Sequence, residues 1–150
     1  MRIRLIWEGK TRDERLRALQ EDYARRIGYF TELKIEEIPA RARHNKGPSA
    51  AERLLLEKVG RGRKVVLDER GQEWTSQDLA SWMSECALRG TREVTFLVGG
   101  PEGFSEAFRE HADVLFALSR MTLTRDWART LLLEQIYRGF TIQQGHPYPR

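Results

Sequence analysis

Apolar residues along the chain switch repeatedly between a spacing of two and a spacing of three to four, which outlines alternating strands and helices. Ile3, Leu5 and Trp7 alternate with Arg2, Arg4 and Ile6, predicting a short strand ended by Gly9. Leu16, Leu19, Tyr23 and Ile27 then share one helical face up to Gly28, and Thr11 with Glu14 has the spacing of a capping box at its start. Leu33, Ile35 and Ile38 predict a second strand closed by Pro39. Residues 40–48 carry Arg41, Arg43, His44 and Lys46 without apolar period, a basic loop read first as a solvated segment and second as an RNA contact. Ser49 and Glu52 form another capping box, opening a helix through Leu54, Leu55 and Val59.

The remaining sequence repeats the alternation. Val65, Val66 and Leu67 make a short strand ending at Asp68, Gly71 turns the chain, and Ser76 caps a helix through Leu79, Trp82, Met83 and Leu88. From Val94 to Val98 the only polar residue is Thr95, the mark of a central parallel strand covered on both faces. After a glycine-rich turn, residues 105–111 read as a short helix, 114–118 as a strand and 124–143 as a long helix. This order predicts an α/β sandwich with a mostly parallel sheet, formed by the 150 residues as a single domain.

Charge adds a hint about partners. Lys and Arg number 26 against 22 Asp and Glu, a net charge of +4 that suits a polyanion without requiring one. Cys86, the only cysteine, excludes an internal disulfide and reads as a small buried hydrophobe in a reducing compartment. The opening residues lack a signal-peptide pattern and no apolar run reaches membrane length, so a cytoplasmic protein without membrane association is expected. His44, His111 and His146 are scattered and predict no metal site, and no serine of the nucleophile-elbow type is present.

Three segments could carry chemistry. Gly99-Gly100-Pro101-Glu102-Gly103 follows the buried strand and precedes a helix, where ligands of α/β sheets collect. It matches neither a Walker loop nor the dinucleotide fingerprint. Glu102 would repel a pyrophosphate but tolerate a positive sulfonium, favouring S-adenosylmethionine over ATP or NAD, while a ligand-free tight turn stays an equal reading of these five residues. The stretch Leu118-Ser119-Arg120-Met121-Thr122-Leu123-Thr124 could wrap an adenine with aliphatic groups, or be only a loop. Finally, Arg129, Glu134 and Arg138 lie along the last helix, ahead of Gly145-His146-Pro147-Tyr148-Pro149-Arg150. Its apolar stripe of Leu133, Ile136, Tyr137 and Phe140, widened by Leu131 and Leu132, exceeds what one packing partner needs and leaves room for a subunit interface. His146 and Tyr148 could stack on bases with Arg150 on phosphate, or the tail could be disordered.

In their order and over the whole length, four motifs resemble the large-subunit rRNA methyltransferase H family: residues 96–103 (FLVGGPEG), 118–122 (LSRMT), 131–138 (LLLEQIYR) and 145–148 (GHPY). Glu36-Glu37-Ile38-Pro39 and Val66-Leu67-Asp68 add to the likeness. The resemblance implies a SPOUT-type fold with a C-terminal trefoil knot, an exception to the rule against threaded chains. It implies a homodimer that uses S-adenosylmethionine to methylate N3 of a pseudouridine in 23S rRNA of the assembled ribosome. Carried onto this sequence, the cofactor contacts fall on Leu67, Gly99, Gly100 and on Ser119, Arg120, Met121, Thr122, Leu123 and Thr124. Arg138, His146 and Tyr148 are expected to serve catalysis, and with Arg129 and Arg150 to hold RNA, the partner subunit's tail completing the site. Relatives show Pro-His where Thr124-Arg125 stands and His where Pro149 stands, so histidine roles are not carried to those positions. An RNA- or ribosome-binding module of the same fold without catalysis, and a tRNA methyltransferase, remain alternatives.

Overall fold

The first alternating run forms strand β1 (Arg2–Glu8), which helix α1 (Glu14–Ile27) connects to strand β2 (Leu33–Ile38) in the computed structural model, where residues 1–39, 50–100 and 102–149 are described. Helix α2 (Ala50–Val59), strand β3 (Arg63–Glu73), helix α3 (Ser76–Leu88) and strand β4 (Glu93–Val98) follow. A short helix α4 (Glu106–Arg109), strand β5 (Val114–Ala117) and the long helix α5 (Arg125–Gln143) complete the order. The basic segment at 40–48, and Ser49 of the second predicted capping box, lie outside the described residues.

All five strands pair in parallel in the order β2-β1-β4-β3-β5, so the expected mostly parallel sheet is wholly parallel among the described residues. Parallel neighbours need crossover connections, which the intervening helices supply. β4 lies at the centre, and its residues from Val94 to Val98 are all buried. On one face Val94, Phe96 and Val98 join Ile3, Leu5, Leu132 and Ile136, with α5 packed between α1 and α3. On the other, Leu97, Ile6 and Val66 meet Leu55 and Val59 of α2 and Phe104 and Phe108 around α4. Each fully buried side chain of this kind contributes roughly 1.5–3 kcal/mol of transfer free energy, and continuous apolar strands result because both faces are covered.

Three local details differ from the sequence expectation. The cap of α1 is Asp13, whose carboxylate accepts from the amides of Arg15 and Leu16. Thr11 lies too far upstream and is buried, its hydroxyl donating to Gln20 Oε1 at 2.8 Å and accepting from Arg129. Thr75, rather than Ser76, caps α3 in a box with Asp78, which frees the Ser76 hydroxyl to donate to Gln135 at 2.6 Å. Strand β3 runs on past Asp68 with a register shift between Leu67 and Gln72, and Gly71 sits inside it. A Cβ on Gly71 would lie 2.5 Å from the Leu115 carbonyl group, so glycine there permits a close crossing of β3 and β5 instead of a turn. Cys86 is buried in α3, as its setting predicts.

Candidate active site

A cleft of about 700 Å³ opens beyond the carboxyl ends of β3, β4 and β5, where parallel sheets collect ligands. Its apolar floor consists of Leu67, Val98, Phe116 and Leu118. One wall is the turn after β4, including Gly99, Gly100, Glu102 and Gly103, and the facing wall is the segment after β5, with Ser119, Met121, Thr122, Leu123 and Thr124. Two stretches separated by some twenty positions in sequence thus converge on one cavity.

The glycines of the first wall are required by contact. A Cβ on Gly99 would come within 3.0 Å of the Gly103 backbone, and one on Gly100 within 2.7 Å of the Glu8 carboxylate. The turn is closed by the Gly103 amide donating to the Gly100 carbonyl at 2.9 Å. Bare backbone therefore faces the cleft, where a ligand can approach it closely. On the second wall the Ser119 hydroxyl accepts from the Met121 amide at 2.9 Å, and the Thr122 hydroxyl donates to Glu69 at 3.1 Å. Thr124 accepts from the Trp127 amide and begins α5. Arg120 turns outward, donating to Glu73 and to the Glu69 carbonyl, both at 2.6 Å, and is not among the residues that line the cleft.

Charged residues ring the mouth. Asp68 is held by Arg70 at 2.9 Å with Arg109 beyond it at 3.7 Å, and the Arg70 hydrogen bond lowers its pKa against the effect of burial. Asp126 Oδ2 accepts from the amides of Arg12 and Asp13 at 3.0 and 3.1 Å, tying the β1–α1 turn to the start of α5. Arg12, Arg125 and Asp126 all border the cavity, and none was singled out as a site residue by sequence reasoning. Only Arg125 had a signal: the departure from the family pattern.

Arg129, expected to reach RNA, is wholly buried. Its guanidinium donates to the Glu8 carbonyl and to Thr11 Oγ1 and lies 4.9 Å over the Trp7 ring. Burial, aided by nearby Arg125, lowers its pKa to about 10. With no surface to offer a phosphate, Arg129 ties α5 to the end of β1. Sequence spacing placed it on a helix but could not tell which face met β1.

The carboxyl tail folds back over α1 and α5. The Tyr148 ring packs edge-on against Tyr137 at 4.8 Å, and its hydroxyl lies 3.0 Å from that of Tyr23 and donates to Glu134 at 3.2 Å. Burial, then the bond with Tyr23 and the charge of Glu134, push the Tyr148 phenol far above its ordinary range, so it stays neutral. Arg138 stacks 4.5 Å from the Tyr148 ring, pairs with Glu134 at 2.6 Å and donates to the Pro149 carbonyl at 2.7 Å. His146 is exposed, and Arg150 lies outside the described residues. The structure gathers Arg138 and Tyr148 into one cluster, but none of the described tail residues lines the cleft of its own chain. No group of three potential metal ligands occurs among the described residues.

The cleft accommodates an adenosyl group with a positive sulfonium: its floor is apolar, bare glycine backbone forms one wall, and Asp68, Glu102 and Asp126 stand around it. The family described as "Predicted SPOUT methyltransferase" matches residues 1–149, so the chain belongs to the SPOUT class. Within that class the chain belongs to the ribosomal RNA large subunit methyltransferase H family. It is 46% identical over 155 residues to "Ribosomal RNA large subunit methyltransferase H" of Geobacter sp. (strain M21), covering 99% of this chain and 98% of the relative. The protein of the same name from Anaeromyxobacter sp. (strain Fw109-5) is 38% identical over 152 residues, covering 99% of both chains. Among solved structures, a methylase family protein from Neisseria gonorrhoeae is similar in fold, with TM-score 0.58, 16% identity and coverage of 99% of this chain and 85% of that one. The SpoU methyltransferase AviRb from Streptomyces viridochromogenes, solved in complex with AdoMet, has TM-score 0.51 and 12% identity, covering 97% of this chain and 59% of that one.

Proposed function

We propose that this chain is an S-adenosylmethionine-dependent rRNA methyltransferase, cytoplasmic and homodimeric, that methylates N3 of a pseudouridine in 23S rRNA of the assembled ribosome. The observation that carries this reading is the convergence of the Gly99-Gly100 turn and the segment from Ser119 to Thr124 on one cleft. Relatives of nearly the same length, at 38% to 46% identity, bear an rRNA methyltransferase name. When bound, the cofactor supplies an electrophilic methyl group on a positively charged sulfur.

The chain's own residues bind and orient. Backbone groups at Gly99, Gly100 and Ser119 would hold the donor, and Leu67, Leu118 and Leu123 would cover its adenine, so that orientation in the cleft would supply most of the acceleration in such a transfer. Arg138, stacked on the neutral Tyr148, and the exposed His146 offer cation, phenol and imidazole to RNA. Because this tail rests on α1 and α5 away from its own cleft, it serves the cleft of a second copy. The threading of the last segments into a trefoil knot, and the folding of all 150 residues as one domain, belong to the same reading.

Purified protein is incubated with methyl-labelled cofactor and either 70S ribosomes or total tRNA, and the RNA is digested to nucleosides. Label is expected in 23S rRNA as N3-methylpseudouridine. Label in tRNA instead would transfer the assignment to tRNA, and cofactor binding without transfer to either would identify a non-catalytic module. Sedimentation at micromolar concentration checks the dimer, a monomer being the contrary result.

A further inference from the structure

The cleft contains a cation whose hydrogen-bonding capacity is unspent. Arg125, first residue of α5, borders the cavity, and its side chain is only 18% exposed. Its Nη1 lies 3.3 Å from where a Cβ on Gly9 would stand, which seats the guanidinium against the turn that ends β1. Among the described residues its one ion pair is with Asp126 Oδ1, at 3.9 Å, beyond hydrogen-bonding distance. That same Oδ1 is buried without a hydrogen-bond partner, although Oδ2 of the same carboxylate is satisfied by the Arg12 and Asp13 amides. Arg70, Arg109, Arg129 and Arg138, by contrast, each donate to a protein oxygen. Leaving a half-buried guanidinium idle costs free energy unless a ligand accepts its donors.

We infer that Arg125 recognises the target base, donating to a carbonyl oxygen next to the imide nitrogen and stabilising the anion formed when that nitrogen loses its proton. The inference rests on the methyltransferase reading and adds to it the residue that meets the uracil-type imide of the substrate. A guanidinium has donors only, so it favours a ring carbonyl that gains negative charge and gives nothing to an amino-bearing edge. In the reaction the imide proton passes to solvent water or hydroxide. The nitrogen lone pair then forms a bond to the methyl carbon as the sulfur–methyl bond breaks, and that bond's electron pair stays on sulfur to leave a neutral thioether. Exposed Arg12, on the same rim, is placed to meet a phosphate of the target RNA. Among the described residues, the charged groups that line the cleft with Arg125 are Arg12, Asp126, Asp68, Glu69, Arg70 and Glu102, with Arg129 beside it on its own helix and Glu8 next to the Gly9 turn it approaches.

The test compares wild type with Arg125→Ala and Arg125→Lys on 70S ribosomes across a pH series, with cofactor affinity by calorimetry. In Arg125→Ala, kcat is expected to fall about 10–100-fold near neutral pH and to recover as pH rises, its profile displaced upward by about 1–2 units. Cofactor Kd should stay within about twofold of wild type, since a positive donor gains nothing from a nearby cation. Arg125→Lys should retain part of the lost rate by keeping the charge without the fork, and added guanidinium should rescue Arg125→Ala. Unchanged kcat in Arg125→Ala, or a fall equal at every pH and accompanied by weakened cofactor binding, overturns the inference while leaving the methyltransferase reading standing. Wild-type protein that methylates no ribosomal RNA overturns both.

Discussion

The two ends of the sheet treat their arginines differently. Toward the amino ends of β1 and β4, Arg4 donates to Glu36 at 3.0 Å and to the Lys58 carbonyl at 3.0 Å, and it reaches Glu93 at 3.4 Å. Glu36 is further paired with Lys34 and Lys58, and Glu93 with Arg2. Beyond the carboxyl ends, Arg12 and Arg125 border the cleft, and among the described residues the one ion pair of Arg125 is the long contact with Asp126. The contrast separates charge consumed in joining elements from charge kept for a ligand, a distinction that net charge cannot express. Arg129 warns against a simple division by position, since it lies one helical turn from Arg125 and is spent on the Glu8 carbonyl.

The largest expected effect breaks the comparison at Arg129. Arg129→Ala should destabilise the fold by about 3 kcal/mol, through the cavity it leaves and the orphaned Glu8 carbonyl. Urea denaturation reads this, and a loss below about 1 kcal/mol would mean that the residue is not structural. Next, Gly100→Leu should weaken cofactor binding by roughly 30-fold, about 2 kcal/mol, as its side chain collides with the buried Glu8 carboxylate and drives the turn into the cleft. Calorimetry showing wild-type affinity would contradict the placement of this wall.

A smaller effect concerns the opposite end. Burial raises the Glu36 pKa, but hydrogen bonds from Lys58, Lys34 and Arg4 outweigh it and lower the pKa from 4.5 to about 2. A carboxylate whose folded pKa is depressed stabilises the fold fully above its unfolded pKa and loses that contribution as pH falls through the folded value. Stability should therefore decline between pH 4.5 and about 2, and Glu36→Gln should flatten that decline by about 1 kcal/mol, with solvent screening taken into account. Identical acid profiles for the two proteins would show that the cluster contributes nothing. The smallest change is expected at Arg120: since it turns toward Glu73, Arg120→Ala should alter cofactor affinity by less than about twofold. A tenfold loss would place its guanidinium on the ligand after all.

Much of the architecture was legible because it follows from local periodicity. The apolar run from Val94 to Val98 reads as a buried central strand, and β4 is that strand. The glycine turn after it and the segment from Ser119 to Thr124 were recognisable as candidate walls, from their places after strands and from family motifs, and among the described residues both line the cleft except at Arg120. Caps were read less well. Thr11 has the spacing of an N-cap but is occupied by Gln20 and Arg129, and Asp13 takes its place because its carboxylate reaches the first free amides. Gly71 shows the same ambiguity, since glycine permits a turn and also a close strand crossing, and only the position of Leu115 distinguishes them.

The chain by itself therefore specified its alternating elements, its glycine turn and its methyltransferase kinship, all of which depend on neighbours a few positions apart or on motif order. Which arginines are free, which are buried, and which loops share a cavity was decided only in three dimensions. Arg129 meets Glu8 across 121 positions and the Arg12 amide meets Asp126 across 114. The physical reason is that a charge acquires its role from the oxygens within about 3–4 Å of it, and folding alone brings those oxygens there.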